Sequence, residues 1–338
     1  MRLLRQPSPL SPGTAACIGA FDGLHRGHQA LLRRAAALAP ALAPAPRVAL
    51  VTFEPHPAQV LAPERAPPRL QTPGQRARVA AALGVDALVV LPFTRELSNT
   101  APDVFALQLL RDGLSPAAVV VGPDFRFGAG RRGDPEVLRA TLAPAGIAVE
   151  VVAEVPDPTQ PCKLGSSGVR RAVAEGDLPA AAAMLGRPYS VEGTVVPGAR
   201  RGRTLGYPTA NIAARNPLLP PGGVYAGALA VLSPGPLRGR LWPAVMNVGT
   251  NPTFTPEPGA PRTFEVHALD VDLGDALYGL DVEVAFAVRL RAEQRFPSAA
   301  ALAEQIDRDI AAARPWLTPT WLAGAVLGLD ATWDEDHV

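Results

Sequence analysis

Lysine is all but missing from this chain. Of its 338 residues 32 are Lys or Arg, yet Lys163 is the only lysine among them. A P-loop or a protein-kinase cleft rests a lysine on nucleotide phosphates, and Lys163 stands in Pro161-Cys162-Lys163-Leu164-Gly165, outside either motif. Any phosphate handled here is met by arginine, histidine, backbone amides or a metal ion. Cysteine is nearly as scarce: Cys17 and Cys162 are too few for a disulfide framework or a zinc cluster, which points to a reducing compartment. An excess of charge is lacking too. With 32 basic and 31 acidic side chains the net charge is +1, so no global field draws the chain to nucleic acid or to an anionic membrane. Between Met1 and Gly13 no apolar run follows Arg2 and Arg5, and Pro7, Pro9 and Pro12 interrupt the segment; a cytoplasmic protein is expected.

At 48% hydrophobic residues and a length beyond the usual single domain, the chain is expected to form two domains. In the first half, apolar runs at Ala15–Ile18, Val48–Phe53, Ala87–Leu91, Ala117–Val121 and Val149–Val152 read as strands. Helical stretches at His28–Ala39, Gln75–Leu83 and Pro135–Leu142 lie between them, the alternation of a parallel sheet covered by helices. Ala37–Pro46 and Leu61–Pro68, rich in alanine and proline, are expected to be surface loops. Gly168–Leu185 reads as a helical connector. Beyond Arg187 the texture turns to β-branched and glycine-rich runs: Tyr189–Val196, Gly223–Val231, Trp242–Val248, Thr263–Asp270 and Leu280–Leu290, then a helix from Ser298 to Arg314. That is the pattern of a compact β-barrel. All four tyrosines and all four tryptophans fall in this half, as in a second core of different character.

Two segments carry chemistry. The first is Gly19-Ala20-Phe21-Asp22-Gly23-Leu24-His25-Arg26-Gly27-His28, running from a strand into a helix. Glycines let backbone approach a ligand, the helix start offers amides and a positive dipole end to phosphate, and His25 and His28 can both donate to one anion. The glycine spacing fails G-x-G-x-x-G, which excludes the redox dinucleotide fingerprint. A turn with two incidental histidines, or a metal-binding pair, fits this stretch as well. His56, between Pro55 and Pro57, fits a rigid polar turn and a ligand contact equally. The second segment spans Gly198 to Asn211. Its glycines and Arg200, Arg201 and Arg203 can wrap a polyphosphate, and Thr209 and Asn211 present hard oxygen ligands two residues apart on one strand face, suited to Mg²⁺. A solvated, arginine-rich hairpin tip is the alternative.

The first segment resembles the G-x-F-D-G-x-H-x-G-H signature of the FAD synthetase family of nucleotidyltransferases. Thr52-Phe53-Glu54-Pro55-His56-Pro57, Val121-Gly122-Pro123-Asp124-Phe125-Arg126-Phe127-Gly128 and Ser166-Ser167-Gly168-Val169-Arg170 follow in family order. The resemblance implies that Gly19, Phe21, Asp22, Gly23, Gly27, Asp124, Ser166 and Ser167 surround the nucleotide. It implies further that His25 and His28 steady the ATP phosphates and that Arg170 binds the polyphosphate opposite them. Gly165 stands where the family usually has a first serine, and Ala20 where asparagine is frequent.

The second segment resembles the Pro-Thr-Ala-Asn motif of riboflavin kinases, here Pro208-Thr209-Ala210-Asn211. It continues with Gly223-Val224-Tyr225-Ala226, Asn247-Val248-Gly249-Thr250-Asn251-Pro252-Thr253-Phe254, Glu265-Val266-His267 and Leu277-Tyr278-Gly279. By this resemblance Gly198, Arg201, Gly202 and Arg203 contact ATP, Thr209 and Asn211 hold Mg²⁺ and ATP, and Glu265 accepts the proton of the riboflavin 5′-hydroxyl. Pro197 and Ala199 replace a common histidine and aspartate. From Ala16 to about Ala313 the chain is thus similar to the bacterial bifunctional riboflavin kinase and FMN adenylyltransferase family. The implied architecture is an α/β Rossmann-like nucleotidyltransferase domain over 1–185 and a small six-stranded β-barrel riboflavin kinase domain over 186–338. The implied ligands are riboflavin, FMN, FAD, ATP and Mg²⁺, with no nucleic-acid or membrane partner and a monomer or weak oligomer expected. A pantetheine-phosphate or nicotinate-nucleotide adenylyltransferase would share the first motif and leave the second half unexplained. A flavin-binding protein without turnover would share both.

Overall fold

A computed structural model of the chain describes residues 1–42, 47–198, 201–249, 263–273, 275–329 and 334–335. The chain divides into two compact units, one of Met1–Pro67, Arg76–Gly165 and the strand Asp334–Glu335, the other of Pro68–Gln75 and Ser166–Asp330. The expected division at 185/186 places 166–185 with the first half; here those residues group with the second unit.

The first unit is a parallel sheet of β1 (Arg2–Leu4), β2 (Thr14–Ile18), β3 (Arg47–Glu54), β4 (Ala87–Pro92), β5 (Ala118–Val121) and β6 (Ala148–Val151). Strands β2 and β5 are buried at every position, as central strands covered on both faces must be. The helix Arg26–Leu42 packs on β2, β3 and β5. Phe105, Leu110 and Leu114 of the wide-wound helix Phe105–Leu114, with Leu138 and Leu142 of the helix Pro135–Leu142, join Ile18, Val51, Val89 and Val119 in one core.

The sheet order is β13-β1-β4-β3-β2-β5-β6, with β13 at Asp334–Glu335. The inner strands β4-β3-β2-β5-β6 run in the doubly wound order: successive strands step outward one way from β2, and the chain then returns to its other side at β5. Such a reversal opens a crevice beyond the carboxyl ends of the two flanking strands, the usual ligand position in these sheets. The segments after β2, β3 and β5 are those that carry Gly19–His28, Pro55-His56-Pro57 and Gly122–Gly128.

The elements differ from expectation in one place and add detail in two. The N-terminal segment forms a strand, β1, with Leu3 and Leu4 buried. The loop expected over Ala37–Pro46 is helix as far as Leu42, because alanines carry the helix past Pro40 at the loss of a single backbone bond near its end; 43–46 lie outside the described residues. The connector expected at Gly168–Leu185 is two helices, Ser166–Glu175 and Leu178–Leu185, parted at Gly176, whose φ of 81° suits glycine.

The second unit is a closed antiparallel barrel of β7 (Tyr189–Val196), β8 (Ala210–Ala214), β9 (Gly223–Val231), β10 (Leu241–Gly249), β11 (Thr263–Ala268) and β12 (Asp281–Arg291), in the order β10-β11-β8-β7-β12-β9. The helix Ala299–Ala313, capped by the Ser298 hydroxyl, packs on β9, β10 and β12. Arg291 on β12 meets Asp309 of that helix at 2.7 Å, both largely shielded from water. Along β11 the burial alternates: Phe264, Val266 and Ala268 face the barrel core, while Thr263, Glu265 and His267 are half-buried on the other face.

The segment Pro68–Gln75 closes a buried polar network in this unit. Glu192 and Glu283 stand directly opposite each other on β7 and β12 and are both buried. Gln75 donates to Glu283 at 3.0 Å, Thr72 donates to Glu192, and Asn216 donates to Gln75 at 2.8 Å. Arg187 is buried nearby; desolvation lowers its pKa to about 10, and Glu283 opposes that shift.

Candidate functional site

In the first unit the loop after β2 has an unusual backbone. Phe21 and Leu24 sit at φ of 46° and 43°, a left-handed conformation that costs L-residues energy and persists only where the surroundings enforce it. Burial enforces it: Phe21, Asp22, Leu24 and His25 are all nearly inaccessible. The Thr52 hydroxyl of β3 holds the Ala20 carbonyl at 3.0 Å, and Gly19 donates to Val51 at 3.1 Å. The turn ends in the helix Arg26–Leu42, where the rings of His25 and His28 stack with centroids 3.7 Å apart and Phe21 meets His28 edge-on. The His28 amide donates to His25 Nδ1 at 3.4 Å, so the neutral His25 ring keeps its proton on Nε2. A side chain at Gly27 would come within 3.0 Å of the His25 ring, which is why that position is glycine.

His56 resolves toward structure: its Nδ1 accepts from the Ala58 amide and its own amide donates to the Gln59 side chain, the caps of the short helix Pro57–Leu61. Glu54, from the same motif, pairs at 2.9 Å with the buried Arg76. In the segment after β5, Phe125 and Phe127 stack at 5.3 Å, and Asp124 is exposed and paired with Lys163, which also meets Glu154 at 2.8 Å. Cys17, on β2, is fully buried, and burial pushes its thiol far above the usual range, so it is no nucleophile.

Ser166, Ser167 and Arg170 open the helix Ser166–Glu175 of the second unit, where Arg170 Nε donates to the Pro68 carbonyl at 2.8 Å. A side chain at Gly165 would meet nothing within 4 Å, so the departure from serine there is sterically neutral.

In the barrel, register places the expected residues together. Asn211 on β8 stands directly opposite Glu265 on β11, and Glu265 directly opposite Asn247 on β10. Directly opposed residues share a face, so two amides flank one carboxylate across three adjacent strands. Thr209 corrects an expectation: it precedes β8, which starts at Ala210, because Pro208 has no N–H to extend the ladder. Two of the expected glycines have a steric reason. A Cβ at Gly198 would fall on the Asn211 amide, and one at Gly202 would strike the Tyr207 carbonyl and lie 3.2 Å from the Thr209 hydroxyl. Arg203, expected on phosphate, pairs with Asp275 at 2.9 Å. A cavity beside these residues has apolar walls from Val195, Leu229, Val266 and Leu277, with Thr209 and Arg203 also lining it. The Arg201 side chain, Ala199, Arg200 and Thr250–Phe254 lie outside the described residues. His267 was quoted in the sequence only as part of a motif; its bond to Pro208, described below, is what spacing could not supply.

Two family models divide the chain between them: FAD synthetase matches residues 8–163 and riboflavin kinase residues 185–317. The bifunctional riboflavin kinase/FMN adenylyltransferase of Pseudomonas fluorescens is 38% identical over 95% of this chain and 99% of its own length. The chain belongs to this family. The enzyme of the same name from Escherichia coli K12 is 36% identical over 93% of this chain and 97% of its own. A crystal structure from Streptococcus pneumoniae, named a macrolide-efflux protein, covers 91% of this chain and 98% of its own at 28% identity and a TM-score of 0.77. That likeness concerns the fold; among the described residues no helix is long and apolar enough to cross a membrane.

Proposed function

We propose that the two activities of the family, phosphorylation of riboflavin to FMN and adenylylation of FMN to FAD, run at separate sites of this chain: the Gly19–His28 loop for the second, and Thr209, Asn211 and Glu265 for the first. What supports this best is the row Asn211, Glu265, Asn247 across β8, β11 and β10, which sets a carboxylate beside hard amide oxygens under a glycine-cleared surface.

In the kinase half the riboflavin 5′-hydroxyl attacks the γ-phosphorus of ATP, its proton passes to Glu265, and ADP leaves. A carboxylate suits a step that needs orientation and a proton acceptor more than covalent help. Among the described residues no group of three or more His, Cys, Asp or Glu could cage a metal. Thr209 and Asn211 therefore fit an ion that keeps waters and phosphate oxygens in its shell, as Mg²⁺ does. Bound there, Mg²⁺ would neutralise charge on the transferring phosphoryl group.

In the other half the FMN phosphate is already a nucleophile. One of its oxygens attacks the α-phosphorus of ATP and pyrophosphate departs, so the chain has to position and neutralise. His25 and His28 supply donors at the helix start; Gly19, Phe21, Asp22, Gly23 and Gly27 shape the loop, and Asp124, Ser166, Ser167 and Arg170 complete the nucleotide contacts. Functional halves of 1–185 and 186–338, a cytoplasmic location for two free thiols, a monomer or weak oligomer and the absence of nucleic-acid partners belong to the same proposal.

A single chromatographic assay following riboflavin, FMN and FAD tests it. Replacing His25 and His28 together with Ala stops FAD and lets FMN accumulate, with a loss of about two to three orders of magnitude. Glu265→Gln stops FMN formation, with kcat down on the order of a hundredfold and substrate affinities kept, while added FMN still becomes FAD. Near-normal FAD synthesis in the first variant, or a raised KM for ATP at normal kcat in the second, would refute the respective assignment.

A further inference from the structure

His267 lies two residues beyond Glu265 on the same half-buried face of β11. Strand β11 pairs with β8 at Glu265 with Asn211 and at Val266 with Ala210. Continuing that register by one residue sets His267 opposite Thr209, where the ladder has already ended. Pro208 cannot donate to a neighbouring strand, and the Tyr207 amide is spent on Gly202 at 2.8 Å. The gap is closed by a side chain: His267 Nδ1 lies 2.8 Å from the Pro208 carbonyl. A carbonyl only accepts, so Nδ1 carries the proton and donates. Tyr207 meets the ring edge-on at 5.8 Å, and its hydroxyl donates to Asp307 at 2.7 Å on the helix Ala299–Ala313.

Fixing the Pro208 carbonyl fixes the plane of the Pro208–Thr209 peptide, and with it the direction in which Thr209 leaves the chain. We propose that His267 is a positioning residue for phosphoryl transfer: its Nδ1 bond locks Thr209 to the strand that carries Glu265, so that the metal-side oxygens and the base keep one spacing. The inference rests on the kinase site proposed above. It differs from a role in substrate contact, because His267 acts through Pro208, and from a role in folding alone, because what it sets is the distance between two functional groups.

Asn and Gln separate these roles. An asparagine amide can reach the place of Nδ1, whereas a glutamine amide reaches that of Nε2. In the full-length chain, His267→Gln and His267→Leu should lower kcat for riboflavin phosphorylation by about tenfold to a hundredfold, the scale of a misplaced reacting group, with KM for riboflavin little changed. The Mg²⁺ concentration for half-activation should rise several-fold in both. His267→Asn should restore most of kcat and the original Mg²⁺ dependence, and conversion of added FMN to FAD should be normal in all three. Equal loss in Asn and Gln, or near-normal kcat in Gln, overturns the proposal; if the Leu variant does not fold, the Asn and Gln pair still decides. Glu265→Gln and Asn211→Ala are assayed alongside. If both keep kcat, the site itself is wrong; if both lose it while His267→Gln does not, only the positioning role fails.

Discussion

Gly198→Ala tests the kinase site from an unexpected side, since it adds a single methyl and removes no functional group. The new carbon would stand 2.5 Å from Asn211 Cγ and 2.9 Å from Oδ1. Carbon contacts become comfortable at about 3.5 Å, so the amide has to retreat by roughly an ångström. Asn211 cannot retreat freely, because its backbone is pinned between Val196 on β7 and Glu265 on β11. A displacement of ~1 Å in a group that orients reactants costs on the order of a hundredfold in rate. The expected result is therefore a kcat for FMN formation lowered by about that factor and a raised Mg²⁺ requirement, since a metal-side oxygen has moved. Chromatography of riboflavin and FMN under saturating ATP measures it, and the rate from added FMN to FAD is the internal control. A kcat within about twofold of the parent, with unchanged Mg²⁺ dependence, would mean that Asn211 does not work from the position it occupies here.

Gly27→Ala should slow FAD formation by a smaller factor, on the order of tenfold, because its Cβ crowds the His25 ring at 3.0 Å and asks for a shift of only tenths of an ångström; FMN formation should be untouched in the same assay. The fragment Arg187–Val338 should phosphorylate riboflavin and make no FAD. It should also melt below the full chain, since without Pro68–Gln75 the buried Glu192 and Glu283 lose Thr72 and Gln75, at a cost of about 1–3 kcal/mol per unsatisfied group. FAD from that fragment would refute the division of labour, and an unchanged melting temperature the role of the network. Iodoacetamide should label Cys162 alone in the native protein and Cys17 only after unfolding, because Cys17 is buried with its thiol pKa pushed up; mass spectrometry finding native Cys17 alkylated would contradict that burial.

The sequence displayed both folds where burial imposes a periodicity. β7 and β9 were bounded to the residue, because Tyr189–Val196 and Gly223–Val231 are β-rich runs between turn residues. It hid elements that tertiary contact alone supports. β1 is three residues long and exists because β4 lies beside it, and the helix Phe105–Leu114 has a glycine near its end and no cap in the sequence to announce it. Of the site, residue types and order were legible, but distances between them were not. That Asn211 opposes Glu265 follows from a register set by two strands far apart in sequence. That His267 reaches the Pro208 carbonyl depends on a proline lying just ahead of β8. Arg203 and Asp124 pair here with Asp275 and Lys163, partners that no motif could name in advance, because a motif does not say which counter-ion lies nearest.

The pairing of Lys163 with Asp124 and Glu154 matters beyond electrostatics, because no other side chain in the molecule offers a primary amine. Amine-directed reagents find a single side-chain address besides the N-terminus, and it lies beside the segment that follows β5 at the sheet's reversal. A fluorophore or cross-linker sent to amines would thus be a one-site probe of that crevice, with no engineered residue. An acyl group placed there would also erase the one ammonium between two carboxylates, leaving Asp124 and Glu154 to repel each other across the gap it had bridged.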